Sequence, residues 1–194
     1  MKVIPLELEG LLLVELAIYR DERGFFTERF QAERFRKHGL PTQFVQDNHS
    51  RSLPGVLRGL HYQSAPAQGK LVGTVRGRVW DVAVDIRPDS PTYGRSVGVE
   101  LSDENGRLLW VPVGFAHGFC VLGDEPADVL YKVDAPYNAA GEGGIVWNDP
   151  ELAIDWPVRT PAVSARDQQL PRFAQYRAGP VAWGTRARTG KGEA

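Results

Sequence analysis

Cysteine is almost absent from this chain: Cys120 is the one example in 194 residues. A single thiol forms no internal disulfide and supplies too few ligands for a cysteine-rich zinc module, so both kinds of scaffold are excluded. An excess of one charge is lacking too. Lys and Arg total 23 against 24 for Asp and Glu, a formal net charge of −1. Proteins that coat nucleic acid or an anionic membrane by bulk charge carry a marked excess, so neither partner is expected, while a local anion pocket stays open. Long apolar runs are missing. Leu11-Leu12-Leu13-Val14 stops at Glu15, and the first residues meet Pro5 and Glu7 before any apolar segment builds. That pattern predicts neither a signal peptide nor a membrane span, and a cytoplasmic protein is expected. No internal repeat is visible.

What remains is a globular composition. Hydrophobic residues at 42% and charged residues at 24% are too apolar for a disordered chain. The length suits one domain, placed over residues 1–180, with a flexible basic tail over 181–194 containing Arg186, Arg188 and Lys191.

Strand signals dominate. The run from Lys70 to Ile86 is rich in β-branched residues and punctuated at Gly77. Asp81, Ala83 and Asp85 alternate with Val82, Val84 and Ile86, which predicts a strand with one apolar face. Further short strands are expected over Tyr93 to Leu101, Leu108 to Pro112, Gly118 to Leu122 and Asp128 to Val133, with Asn105-Gly106 as a hairpin turn. Such spacing points to a barrel or sandwich. A surface helix is expected between Thr27 and His38, closed by Gly39 and Pro41, and a helical turn after Ser164.

Of four histidines, His38 falls in the charged helix and reads as solvated, and His49 follows Asp47-Asn48 in a loop-like stretch and reads either way. His61 and His117 stand in richer settings. If Leu57 to Gln63 is a strand, Gly59, His61 and Gln63 share one face and Arg58 takes the other unless a bulge intervenes. Pro112-Val113-Gly114-Phe115-Ala116-His117 resembles the second motif of the cupin barrels. The first cupin motif carries two metal-binding histidines one residue apart, and here the second is Gln63, a poor ligand beside imidazole. The resemblance implies an all-β, cupin-type antiparallel jelly-roll barrel with a few short helices and no metal.

A longer ordered set narrows this. Asp21-Glu22-Arg23-Gly24-Phe25-Phe26-Thr27-Glu28, Phe44 to Ser50, Val56 to Gln63, Gln68-Gly69-Lys70, Gly114 to Phe119, Leu130-Tyr131-Lys132, Gly144 to Pro150 and Ser164-Ala165-Arg166-Asp167 together resemble the dTDP-4-dehydrorhamnose 3,5-epimerase family. The resemblance runs from about Arg20 to Pro171. It implies a homodimer that needs no cofactor and inverts carbons 3 and 5 of a dTDP-linked 4-keto-6-deoxyhexose.

Carried over by motif, His61 is the base and Asp167 its orienting partner; an imidazole with a pKa of about 6.5 suits that task. Tyr131 is the proton donor, although an isolated Leu-Tyr-Lys reads as a core aromatic. Lys70 sits near the enolate oxygen, and His117 contacts the sugar or is a spacer kept from the cupin architecture. Arg23 and Arg58 grip the diphosphate, with Arg166 at a position often held by lysine. Gln46, Asp47 and Asn48 serve the nucleotide, Glu28 and Glu142 are further polar contacts, and Phe26 and Tyr137 flank thymine. The alternatives are a 3- or 5-monoepimerase on another dTDP-ketodeoxysugar and a non-catalytic sugar-binding cupin. A 3,4-ketoisomerase and a metal-dependent oxygenase fit less well, the latter because of Gln63.

Overall fold

The computed structural model describes residues 1–183. The first large sheet has the order β1 (Lys2–Pro5), β2 (Leu12–Glu15), β10 (Arg107–Val111), β7 (Lys70–Arg76), β12 (Ala127–Val133), β5 (Gln46–Ser52). The second runs β13 (Glu142–Gly144), β6 (Val56–Gln63), β11 (Phe115–Leu122), β8 (Arg78–Asp85), β9 (Ser96–Ser102), with β14 (Ala162–Val163) parallel to β6. β3 (Ile18–Asp21) and β4 (Gly24–Thr27) form a separate hairpin. Among the described residues, three short α-helices, α1 (Ala32–Lys37), α2 (Ala165–Gln168) and α3 (Phe173–Ala178), and a single helical turn at Ala139–Gly141 complete the fold. This is the cupin-type antiparallel barrel that the motifs implied.

The turn signals mark corners between the sheets. At Gly77 the chain leaves β7 in one sheet for β8 in the other. The turn needs φ +73°, and a Cβ there would lie 2.7 Å from the Pro126 carbonyl oxygen. Asn105-Gly106 is a corner too, which corrects the expected hairpin: β9 pairs with β8, while β10 pairs with β2 and β7. The Asn105 amide shapes this corner by accepting from the Ser102 and Arg107 N–H groups at 3.1 and 3.0 Å and donating to the Glu100 carbonyl at 3.0 Å. Each crossing sends the chain between sheets, so the inward residues of both meet: Val72, Leu109, Val111 and Val129 against Val79, Phe115, Phe119 and Val121.

Both outer faces are covered in part. Phe35 of α1, with Leu40, Phe30 and Phe44, packs on Val14, Leu71, Leu108 and Trp110. Trp156 and the α3 residues Phe173 and Tyr176 pack with Leu57, Val82, Val84 and Cys120. Three expectations change as a result. The helix begins at Ala32 rather than Thr27, because residues 24–27 pair with β3 and the Gln31 side chain caps the helix by accepting from the Arg34 N–H at 2.6 Å. The stretch around His49 is strand β5 rather than loop, and His49 lies 3.3 Å from Asp128. β8 has both faces covered, so Asp81 and Asp85 are fully buried rather than facing water. Of the expected tail, Val181 and Trp183 pack against the α3 cluster, and residues 184–194 lie outside the described residues. Among the described residues no helix is long and apolar enough to cross a membrane.

Candidate active site

The site starts from an irregularity in β6. Against β11, Leu57 opposes Cys120 and Arg58 opposes Phe119, then His61 opposes His117. Gly59 and Leu60 therefore stand against Gly118 alone, a bulge that breaks the two-residue alternation and turns Arg58 and His61 toward the same cleft. The bulge requires glycine: Gly59 has φ +126°, and a Cβ there would fall 2.6 Å from the Gly118 Cα and 2.9 Å from the His117 carbonyl oxygen.

α2 supplies the partner of His61. Ser164 caps it by accepting from the Asp167 N–H at 3.0 Å. The Asp167 carboxylate turns inward, with Oδ1 2.7 Å from His61 Nε2 and Oδ2 accepting from the Gly59 N–H at 3.2 Å. Burial pushes this carboxyl up, but the hydrogen bond and charge of His61, with the Gly59 N–H and Ser164, hold it below its ordinary value. An ionised Asp167 accepts the Nε2 proton, which leaves the lone pair of the neutral imidazole on Nδ1.

The same cleft, about 730 Å³, is lined by Arg58, His61, Lys70, His117, Tyr131, Arg166 and Asp167. Lys70 and Tyr131 arrive from β7 and β12 of the facing sheet. Burial lowers the Lys70 ammonium to about 8, against the opposing pull of Glu142 and Asp81. It raises the Tyr131 phenol, which the nearby Arg58 charge opposes. The Arg58 guanidinium is braced by Nε donating to Ser52 Oγ at 2.9 Å and Nη2 to the Arg51 carbonyl at 3.3 Å.

His61, Lys70 and Tyr131 also line a second lobe of about 260 Å³ with Gln46, Asn48, Tyr137 and Glu142. There Glu142 Oε2 accepts from the Tyr137 hydroxyl at 3.0 Å and from Arg166 Nη2 at 2.6 Å. Burial works against the Glu142 charge, but these two donors hold its carboxyl below the ordinary value.

Four expected residues fall elsewhere in the single chain. Asp47 alternates to the opposite face of β5 and binds Lys132 Nζ at 2.8 and 2.9 Å. Arg23 pairs with Asp21 on the β3–β4 hairpin, Phe26 is 68% exposed on the same hairpin, and Glu28 pairs with Arg34 at 3.1 Å. The structure adds Asp81 to the site. Asp81 Oδ1 lies 2.8 Å from His117 Nε2, giving the cleft a second histidine–carboxylate pair, both members buried. Its signal was an aspartate in the middle of an apolar β-branched run, a place where a carboxylate needs a partner. Gln63 keeps its amide for backbone groups, and among the described residues no cluster of three or more His, Cys, Asp or Glu is arranged to hold a metal.

The family model described as dTDP-4-dehydrorhamnose 3,5-epimerase matches residues 5–175. A Shigella flexneri protein named dTDP-4-dehydrorhamnose 3,5-epimerase is 54% identical over 89% of this chain and 96% of its own. A Streptomyces niveus protein named dTDP-4-dehydrorhamnose 3-epimerase is 41% identical over 91% of this chain and 86% of its own. Among solved structures, a Legionella pneumophila dTDP-6-deoxy-D-glucose-3,5-epimerase in complex with dTDP-4-keto-L-rhamnose superposes with a TM-score of 0.82 at 49% identity, covering 89% of this chain and 98% of that one.

Proposed function

The chain belongs to the dTDP-4-dehydrorhamnose 3,5-epimerase family, and from that membership we propose that it inverts carbons 3 and 5 of dTDP-4-keto-6-deoxy-D-glucose to give dTDP-4-keto-L-rhamnose, a step toward dTDP-L-rhamnose. The observation that carries the reading is the His61–Asp167 pair sharing a cleft with Lys70 and Tyr131.

Both carbons flank the 4-keto group, so their protons are acidic enough for a positioned base. His61 Nδ1 takes the proton while the C–H electrons move onto the keto oxygen, and Asp167 stabilises the imidazolium that forms. Lys70 stabilises the enolate oxygen with a charge already in place. The Tyr131 phenol then returns a proton from the opposite face, and solvent exchange resets both groups with no net gain or loss of protons. Arg58 and Arg166 hold the diphosphate, and Tyr137 offers a flat ring to thymine.

Arg23, Phe26 and Glu28 serve the nucleotide from a second copy of the chain. They lie outside their own cleft, and the hairpin that carries Arg23 and Phe26 also exposes Tyr19 and Phe25, with Tyr19 at 62% and Phe25 at 51%. A homodimer that buries this apolar hairpin against its partner completes each site. A cytoplasmic site of action fits the single free thiol, Cys120, which needs no oxidising compartment.

A monoepimerase acting on another dTDP-ketodeoxysugar is the second reading, favoured by the name of the 41% identical Streptomyces niveus relative. Incubating the protein with dTDP-4-keto-6-deoxyglucose in deuterium oxide tests both. Loss of the proton signals at carbons 3 and 5 together, with formation of the L-rhamno product, is expected; loss at one carbon alone supports the monoepimerase, and loss at neither removes the catalytic reading.

Two further results are expected from the same assay. Exhaustive chelation leaves turnover unchanged, because Nε2 of His61 and of His117 each faces a carboxylate and Gln63 is committed to backbone. Activity lost on chelation and restored by one metal overturns this. Lys70 stabilises the enolate only while protonated, so kcat/KM declines as pH rises through about 8, the value to which burial lowers it. In Lys70→Arg that alkaline limb shifts beyond the assay range; an unshifted limb assigns it to another group.

A further inference from the structure

The segment between β12 and the short helical turn at Ala139–Gly141 has no regular structure, yet a glutamine meets a backbone group at each of its residues 135–138. Gln68 Nε2 donates to the Ala135 carbonyl at 2.8 Å. Gln63 Nε2 donates to the Pro136 carbonyl at 3.0 Å, and its Oε1 accepts from the Asn138 N–H at 2.8 Å. Gln46 Oε1 accepts from the Tyr137 N–H at 3.0 Å. The three come from the end of β6, the turn after it and the start of β5. Gln63 is 3% exposed and also donates to the Pro66 carbonyl at 2.8 Å, so it ties that turn to the segment.

The residue type follows from the demand. Position 63 must give two protons to carbonyls and accept one from an N–H. A neutral histidine offers one donor and one acceptor, and a carboxylate offers no donor; a primary amide fits. The orientation is fixed as well, because a reversed amide would set its oxygen against two carbonyls.

The segment exposes Pro136 and Tyr137, and Tyr137 is its one aromatic side chain. Tyr137 is 55% exposed, and its hydroxyl is held by Glu142 at 3.0 Å. We propose that Gln63, Gln68 and Gln46 form an amide cradle that positions Tyr137 as a preset stacking platform for the nucleobase, with Gln63 its central member. This rests on the reading that Tyr137 flanks the thymine. The cradle fixes the backbone before ligand arrives, so binding does not have to order it. Gln46 lines the second lobe and holds the platform as well: its Oε1 accepts from the Tyr137 N–H, and its Nε2 gives one proton to Asn48 Oδ1 at 2.8 Å, leaving the other for the nucleotide.

The test uses Gln63→Met and Gln68→Met, which keep side-chain length and remove the amide, each alone and combined with Tyr137→Ala. Dissociation constants for dTDP are measured by calorimetry, alongside kcat and thermal melting. Each methionine variant is expected to weaken dTDP by roughly tenfold, with kcat near the parent value, and to add little in the Tyr137→Ala background. Gln68, bonded to the segment once, keeps the test available if Gln63→Met does not fold. Weakening that persists undiminished in the Tyr137→Ala background assigns the glutamines a general structural role and overturns the proposal. Weak binding by Tyr137→Ala beside unchanged binding by both methionine variants overturns the cradle alone. Unchanged binding by Tyr137→Ala overturns the stacking reading and the cradle's role with it.

Discussion

His61→Asn is expected to lower turnover by roughly 10²- to 10⁴-fold, the range for a lost general base. Asparagine keeps a polar side chain of similar reach at the bulge but has no nitrogen that accepts a proton. Asp167→Asn should cost less, in the same sense, for a reason visible in the site. The carboxylate uses one oxygen for His61 Nε2 at 2.7 Å and the other for the Gly59 N–H at 3.2 Å. A carboxamide has a single oxygen, so either the imidazole loses its orienting acceptor or the bulge loses its tie, and an NH₂ faces a donor in its place. The negative charge that stabilises the imidazolium is gone in both arrangements. Initial rates on the ketosugar, with dTDP affinity as a control for an intact pocket, check both variants. Near-normal turnover by His61→Asn removes the base assignment.

The strand positions were readable because β-branched runs such as Lys70 to Arg76 pack on a pleated surface wherever they fall. Their partners were not. Asn105-Gly106 has the chemistry of a two-residue hairpin turn, but φ +60° at Gly106 serves a corner between sheets equally well, and only the packing of β10 between β2 and β7 decides which. Local turn chemistry fixes where a chain reverses and leaves open which strand it then joins. The alternation rule failed for the same reason at Asp81. A strand with one wet face and a strand buried on both faces carry similar patterns when the inward polar residue has a buried partner, and His117 lies 36 residues further along the chain.

Within the site, the division between legible and hidden residues follows sequence distance and symmetry. Once residues 46–52 are taken as a strand, the two-residue alternation that sends Asp47 away from Asn48 is accessible without tertiary information, although its partner Lys132 comes only with the pairing of β5 and β12. Arg58 beside His61 is not accessible in this way, since it depends on one extra residue in β6 opposite Gly118. The separation of Arg23, Phe26 and Glu28 from the cleft is a property of one copy of the chain. A motif match carries no record of which subunit supplies a residue, so in the proposed homodimer contributions from two copies read as one list.

Tyr131→Phe is expected to separate proton removal from inversion. Burial raises the phenol above its ordinary pKa of about 10, so at neutral pH it is a protonated donor and a poor base. Phenylalanine removes the hydroxyl and keeps the ring that packs against the core. His61, Asp167 and Lys70 are untouched, so the proton next to the carbonyl still leaves and the enolate still forms. Without a donor on the far face, the enolate is reprotonated by the imidazolium on the face it left, and the sugar returns to its starting configuration. In deuterium oxide this gives label at carbons 3 and 5 with the D-configuration retained, while net inversion falls by roughly 10²- to 10⁴-fold. Loss of the proton signals at the two carbons measures exchange, and the chemical shifts of the remaining ring and methyl protons, compared with those of the two authentic ketosugars, report configuration in the same sample. Exchange and inversion that fall by equal factors at both carbons would show that abstraction also depends on the phenol, and the separate roles of His61 and Tyr131 would have to be abandoned.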